Sequence, residues 1–387
     1  MLYESPSYIC REIADCPYWK EVMDECDITI KYEGDTYAIF NYGIDANFAN
    51  PIVQEARGII IDVSDPQQPT VACWPFRKFG NYQEPYADEI DWSMAAVQEK
   101  IDGSIVKMWW DRHAEKWRWS TNGVIDADKA EINDSQITFL DLIYKADNYG
   151  DIINAINRGE LNTDRTYIFE LVSPYNQIVI KYPSTHLYHL GTRDNVTGQE
   201  YGHTINMDKP CSYMLSSMDD CINAAAELNK GANGVKYEGF VVVDANWHRI
   251  KIKSPEYLFM HHVYCNGQFP AKKIVNGLRS GALDADEMCK AYPDLAHIFR
   301  YYQWQIEEFK YQADEICQTV DRLYEEFFGN RKAIAMGIKD GRYGAIGFTY
   351  LNGGRTKSVE EILNDMNDRQ YMKFITEYKR RNNGSHT

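Results

Sequence analysis

The sequence predicts an α+β protein, with a mainly antiparallel sheet domain followed by an all-α one. Three observations predict it. Between Ile28 and Lys253, short alternating apolar runs recur between turn residues, the period of strands with one buried face. Past Tyr257 that pattern stops, and apolar residues recur at intervals of three and four, as on a helix face. The charge changes at the same place. Residues 259–387 hold 18 basic against 17 acidic residues, so 23 of the chain's 41 basic and 40 of its 57 acidic residues fall in 1–258. The expected domains are therefore 1–258 and 259–387, and each is long enough to bury a core.

In chain order, residues 6–26 read as one helix, with Ile9, Ile13, Cys16 and Val22 near helical spacing. Ile28/Ile30/Tyr32, Tyr37/Ile39 and Ile59-Ile60-Ile61 mark short strands, and 93–120 reads as strand, tight loop and hairpin. Helices are expected over 139–157 and 218–229, and strands over 166–172, 177–182 and 187–193. A hairpin over 239–244 and 248–253 closes the domain. In the second domain the apolar series from Leu295 to Phe327 makes one long helix that Gly329 ends. A glycine-rich stretch over 337–354 precedes a last helix over 358–380, and 382–387 reads as a disordered tail.

The 387-residue chain is 44% hydrophobic and 25% charged, a folded composition. No apolar run approaches the roughly 20 residues of a membrane span, and Met1–Pro6 lacks the features of a secretion signal. A cytoplasmic protein with no membrane partner is expected. Nine scattered cysteines without a C-x-x-C pair fit reduced thiols. His261-His262-x-x-Cys265 could be half a zinc site, but no second Cys/His pair lies nearby. The net charge of −16 argues against a broad basic surface for nucleic acid, so phosphate chemistry would need a local basic island.

That island has a candidate. Lys100-Ile101-Asp102-Gly103-Ser104 is by itself a loop lysine before an Asx-Gly turn. Upstream stand Arg57-Gly58 and Pro75-Phe76-Arg77-Lys78-Phe79. Downstream stand Phe169-Glu170, Glu238-Gly239-Phe240-Val241-Val242 and Lys251-Ile252-Lys253-Ser254-x-x-Tyr257. Singly, each is an ordinary surface cation or carboxylate. Together they meet one need: a lysine that attacks the α-phosphate of ATP must lose its proton, which neighbouring cations favour by depressing its pKa. Other cations and a metal must gather the charge at phosphorus, and carboxylates must hold that metal and the ribose.

These motifs, in this order over about 50–260, resemble the covalent nucleotidyltransferases, and within them the RNA ligase 1 family of T-even phages. The run Phe169-Glu170-Leu171-Val172-Ser173-Pro174-Tyr175-Asn176-Gln177-Ile178-Val179-Ile180-Lys181-Tyr182 carries the resemblance furthest. It implies an adenylyltransferase domain and an ATP-dependent RNA ligase. Lys100 would take AMP from ATP, with Asp102 and Gly103 completing its loop, then pass AMP to an RNA 5′-phosphate that a 3′-hydroxyl attacks. The resemblance further implies that Glu99 contacts adenine, that Glu170 binds ribose or metal-bound water, and that Glu238 assists a catalytic Mg²⁺ (or Mn²⁺). Arg57, Lys78, Lys251 and Lys253 would grip the triphosphate, and Tyr257 would support the last motif. Two positions depart from the pattern: Gly80 where a second aromatic is usual, and Asn122 where a lysine is common. The implied partner is RNA, as single-stranded ends or a broken tRNA loop, and the implied state is a monomer, in the host cytoplasm if phage-encoded. The helical segment after 258 is a candidate RNA-specificity module, its basic end at Arg369, Lys373, Lys379, Arg380 and Arg381. DNA ligases and capping enzymes usually carry a small β-barrel there. The competing reading is a silent RNA- or nucleotide-binding protein of the same fold.

Overall fold

The computed structural model describes residues 5–132, 136–230, 235–263, 270–281, 283–291, 293–339 and 344–382. The fold is α+β, and the chain divides into two compact units, 1–267 and 268–387.

The first unit is built on three antiparallel sheets. The first holds β1 (Ile28–Glu33), β2 (Tyr37–Tyr42), β3 (Arg57–Asp62) and β4 (Thr70–Cys73) in sequence order. Its apolar face packs on the helices Tyr8–Asp15, Trp19–Glu25 and Pro51–Glu55 through Ile9, Ile13, Met23, Phe40 and Ile59. The other strands are β5 (Ala96–Glu99), β6 (Ser104–Asp111), β7 (Lys116–Thr121), β8 (Arg165–Val172), β9 (His186–Asp194), β10 (Glu200–Tyr201), β11 (Ser212–Tyr213), β12 (Gly239–Val243) and β13 (Arg249–Lys253). They form a sheet of order β10-β9-β8-β6-β7 and another of order β11-β5-β12-β13. Alternation then decides what each sheet shows to which side. Val106, Met108, Tyr167, Phe169 and Leu171 of β6 and β8 pack under helices Phe139–Tyr144 and Tyr149–Asn157. Val97, Phe240, Val242, Ile250 and Ile252 pack on the helix Met218–Glu227. The opposite faces of these two sheets are left to line a cavity.

Several expected elements are interrupted, each for a local reason. The helix over 6–26 breaks at Cys16-Pro17, where Cys16 is extended (φ −112°, ψ 114°): proline disfavours helical backbone in the residue before it and brings no N–H of its own. The helix over 139–157 breaks before Tyr149, where the Asn148 amide donates to the Leu187 carbonyl (2.8 Å) and accepts from the Leu187 N–H (3.1 Å). Residues 177–182 form no strand, because the N–H groups of Val179 and Ile180 donate to the Asp102 carboxylate, at 2.9 and 2.6 Å.

In the second unit, Ala296–Glu326 is a 31-residue helix. It ends where the Gly329 N–H reaches back to the Tyr324 carbonyl at 2.8 Å with φ +75°. Phe309, Ala313, Ile346, Ile362, Leu363 and Tyr371 close its core. The glycine-rich stretch contains a helix, Gly344–Asn352, and the last expected helix is two, Val359–Asn364 and Asp368–Asn382. The side chains of Lys379, Arg380 and Arg381, along with His262, Cys265 and the tail 383–387, lie outside the described residues. Among the described residues no helix is long and apolar enough to cross a membrane, and every described cysteine is a free thiol.

Candidate active site

A cavity of about 560 Å³ opens between the sheets β10-β9-β8-β6-β7 and β11-β5-β12-β13. Alternation places Gln98 of β5, Val241 and Val243 of β12 and Lys251 and Lys253 of β13 on one wall, and Ile105, Glu170 and Leu190 on the other. Arg57, Glu99, Lys100 and Gly103 complete the set at one end. Seven expected site residues thus line one cavity, although 196 positions separate Arg57 from Lys253.

Lys100 follows β5 directly, its N–H held by the Gly239 carbonyl at 2.8 Å. Its ammonium donates to Glu238 Oε2 at 2.8 Å, and Lys253 takes Oε1 of the same carboxylate at 2.9 Å. Glu238 is 2% exposed, so water screens this Lys–Glu–Lys bridge less than it would a surface pair. Burial works to lower the Lys100 ammonium, but Glu238, Glu170 and Asp102 outweigh it and hold it above its ordinary value. This corrects the expectation that neighbouring cations depress Lys100: a carboxylate in direct contact wins. Lys251 is depressed instead: burial, helped by Arg57, Lys78, Lys100 and Lys253, pushes it down to about 6.

The Lys100 loop is clamped from behind. Asp102 is 2% exposed and turned away from the cavity. Besides the two N–H groups of 179–180, its carboxylate accepts the Tyr257 hydroxyl at 2.7 Å. Its own N–H donates to the Tyr182 hydroxyl at 3.2 Å, and Asn176 donates to the Ser104 hydroxyl at 2.8 Å. The run 169–182 and the loop 100–104 are therefore two halves of one device, which gives the long motif its physical reason. Gly103 fits only without a side chain, since a Cβ there would lie 2.5 Å from the Leu171 carbonyl oxygen. Tyr257 is 2% exposed and carries Lys253 over its ring at 5.0 Å, so it holds the site together without lining the cavity.

Two expected residues sit differently. Lys78 is outside the cavity lining, with its ammonium over the rings of Phe48 (5.0 Å) and Tyr42 (5.3 Å), close enough for its charge to act on Lys251. Glu99 is half-buried, raised by burial against a hydrogen bond with Cys211, while Gln98 shares the wall face of Lys100. The departure at Gly80 has a structural place: its carbonyl accepts the Lys251 N–H at 3.0 Å, docking the 79–82 backbone on β13. Asn122 lines the cavity with a buried Oδ1 that has no hydrogen-bond partner among the described residues. Sequence reasoning passed over Gln98, Tyr182 and Lys107. The one available signal was a lysine amid the apolar residues of β6.

For a metal, the carboxylates that fit are Glu170 and Glu238. Burial pushes Glu170 up to about 7 against the pull of Lys100, and among the described residues its carboxylate accepts no hydrogen bond. No group of three or more His, Cys, Asp or Glu that could hold a metal ion occurs among the described residues. Two carboxylates suit a hard octahedral cation when phosphate oxygens and water supply the other ligands, so the residues fit a cation that arrives with a nucleotide.

Comparison with known proteins bears on this arrangement. A profile of the RNA ligase family matches residues 55–257. An RNA ligase of Rhodothermus phage RM378 is 26% identical over 294 residues, spanning 61% of this chain and 66%, just under two thirds, of its own length. Among solved structures, an archaeal ATP-dependent RNA ligase overlaps at 13% identity and a TM-score of 0.44, over 72% of this chain and 69% of that one. A Naegleria gruberi RNA ligase with PPi overlaps at 17% identity and a TM-score of 0.33, over 43% and 52%.

Proposed function

Because the chain belongs to the T4 RNA ligase 1-like family of RNA ligases, we propose that it joins RNA ends with ATP through a covalent Lys100–AMP. The observation that carries the reading is the position of the Lys100 ammonium, on Glu238 at the cavity end where Arg57, Lys251 and Lys253 converge. Four basic side chains around one cavity end suit a triphosphate, and few other ligands need so many.

In the first step the Lys100 Nζ lone pair forms the N–P bond to the α-phosphorus. The bond from that phosphorus to the bridging oxygen breaks, and pyrophosphate leaves with the electron pair. The proton Lys100 must give up has Glu238 Oε2 as its nearest acceptor. Arg57, Lys251 and Lys253 bind and orient the phosphates, with Lys78 beside them. Gln98 and Glu99, which line the same cavity, are read as contacts for adenine, Glu170 as the contact for the ribose or metal-bound water, and Asp102, Gly103 and Tyr257 as the residues that keep the loop in place. Glu170 and Glu238 would hold Mg²⁺ (or Mn²⁺), which when bound neutralises charge on the phosphates. AMP then passes to an RNA 5′-phosphate, and attack by a 3′-hydroxyl releases it. The unit after the adenylyltransferase region is read as the RNA-specificity module, and RNA repair in the host cytoplasm by a monomer as the setting.

The test is intact mass after incubation with ATP and Mg²⁺, beside Lys100→Ala. An AMP adduct in the natural chain alone supports the reading. A folded, AMP-free natural chain that forms none overturns it.

A further inference from the structure

Lys107 is a charged side chain that the reaction does not use. It sits in the middle of β6 and is completely buried. Among the described residues it pairs with no carboxylate, and its ammonium donates to a single acceptor, the Gly58 carbonyl, at 2.6 Å. Burial, with Arg57 adding to it and Cys73 opposing, lowers the ammonium to about 8. An apolar residue would fill this place at less cost, and the neighbouring strand positions are apolar.

What the lysine holds suggests why it stands there. Gly58 has φ +80°, and a Cβ on it would lie 2.6 Å from the Asn122 carbonyl oxygen, 2.7 Å from Asn122 Cα and 2.9 Å from Lys107 Nζ. The start of β3, the residue following β7 and the Lys107 ammonium therefore meet at one point. Arg57 on one side of that point and Asn122 on the other both line the cavity, while Lys107 stands one layer behind them. Among the described residues the Arg57 guanidinium is otherwise held by a hydrogen bond to the Arg77 carbonyl at 3.3 Å and by the Phe79 ring at 5.2 Å.

We infer that Lys107 is a positioning residue for the phosphate end of the cavity: it pins Gly58 against Asn122 so that Arg57 faces the triphosphate. The inference rests on the proposed function, since it needs a polyphosphate in the cavity. Lys107 acts through Arg57, and that dependence separates it from a merely structural lysine. Loss of a structural lysine lowers stability and weakens ligand binding whether or not Arg57 is present. Loss of a positioning lysine weakens binding only while there is an arginine to position.

The test uses the full chain with Lys100→Ala as parent, so that ATP binds without reacting, and titration calorimetry with ATP and Mg²⁺. The expected result is that Lys107→Met weakens ATP about tenfold and Arg57→Ala about thirtyfold. Adding Lys107→Met to Arg57→Ala should then cost less than a further twofold. Lys107→Gln, which keeps a donor, repeats the comparison should the methionine variant not fold. Unchanged affinity in the Lys107 variant, or full additivity with Arg57→Ala, overturns the inference while leaving the ATP site standing. A parent that does not bind ATP overturns both.

Discussion

The charged groups of the cavity and those of the helical unit are arranged on opposite principles. Around the cavity, Lys100 and Lys253 share Glu238 at side-chain exposures of 20%, 18% and 2%, with Lys107 fully buried nearby. In the helical unit, Arg300–Asp286 lies in water at 55% and 61%, and so does Lys357–Asp365 at 43% and 61%. Exposed pairs are screened and contribute little, whereas buried charges cost much to desolvate and are kept where they meet a particular ligand. Where this protein buries charge it should therefore change chemistry when altered, and where it exposes charge it should barely respond.

Removing the reactive amine is the largest expected effect. Lys100→Ala should abolish AMP transfer, at least a thousandfold in initial rate by a denaturing-gel assay, with the far-ultraviolet spectrum unchanged. Detectable adduct on the alanine variant would move the nucleophile elsewhere and break the link between buried charge and chemistry. Next comes the clamp. Asp102→Ala leaves the Tyr257 hydroxyl and two N–H groups without an acceptor, so denaturant unfolding should report a loss of about 3–5 kcal/mol in the first unit. A loss below about 1 kcal/mol would mean that these bonds are readily replaced by water.

Asp102 also shows how far the sequence could be read. Its place in the K-x-D-G-S loop was legible, as were Lys251 and Lys253 on one face of β13, because spacing along a strand fixes which side a residue faces. The α+β class was legible for the same reason. Its bonds to 179–180 were not: the run Gln177–Tyr182 has the composition of a strand, and only the folded chain brings a carboxylate to its N–H groups. The protonation of Lys100 was misjudged on similar grounds. The sequence shows that both cations and carboxylates are near, but not that Glu238 lies 2.8 Å from one amine while Lys251 is left among cations. Lys107 went unnoticed because periodicity marks it as buried without saying what its ammonium meets.

Lys251 gives the pH test. Its folded value of about 6 lies far below the ordinary 10.5, so near pH 7.5 the free protein holds it mostly neutral. A bound triphosphate favours the ammonium. ATP binding should then take up a proton, approaching one per ATP at pH 7.5, and affinity should fall as pH rises from about 6 towards 9. Calorimetry in two buffers of different ionisation enthalpy measures the uptake. Lys251→Met should remove it and weaken ATP by about tenfold or more. Equal uptake in the variant would assign the proton to another group. The sign for folding is the same: between pH 6 and 10.5 the unfolded chain binds the extra proton, so stability gains from this group as pH rises.

The smallest effect tests the other half of the comparison. Lys357, just before the helix Val359–Asn364, reaches the C-cap residue Asp365 at its far end at 2.6 Å, as close a contact as any in the cavity. Distance alone would rank it with the Lys100–Glu238 bridge; burial ranks it far below, because water and salt can replace either partner. The helix keeps an independent start in the capping box of Ser358 and Glu361. Lys357→Gln should leave the thermal midpoint within about a degree and AMP transfer unchanged. A drop of several degrees that vanishes in high salt would show that an exposed pair is holding the helical unit together, and the distinction drawn from burial would fail there.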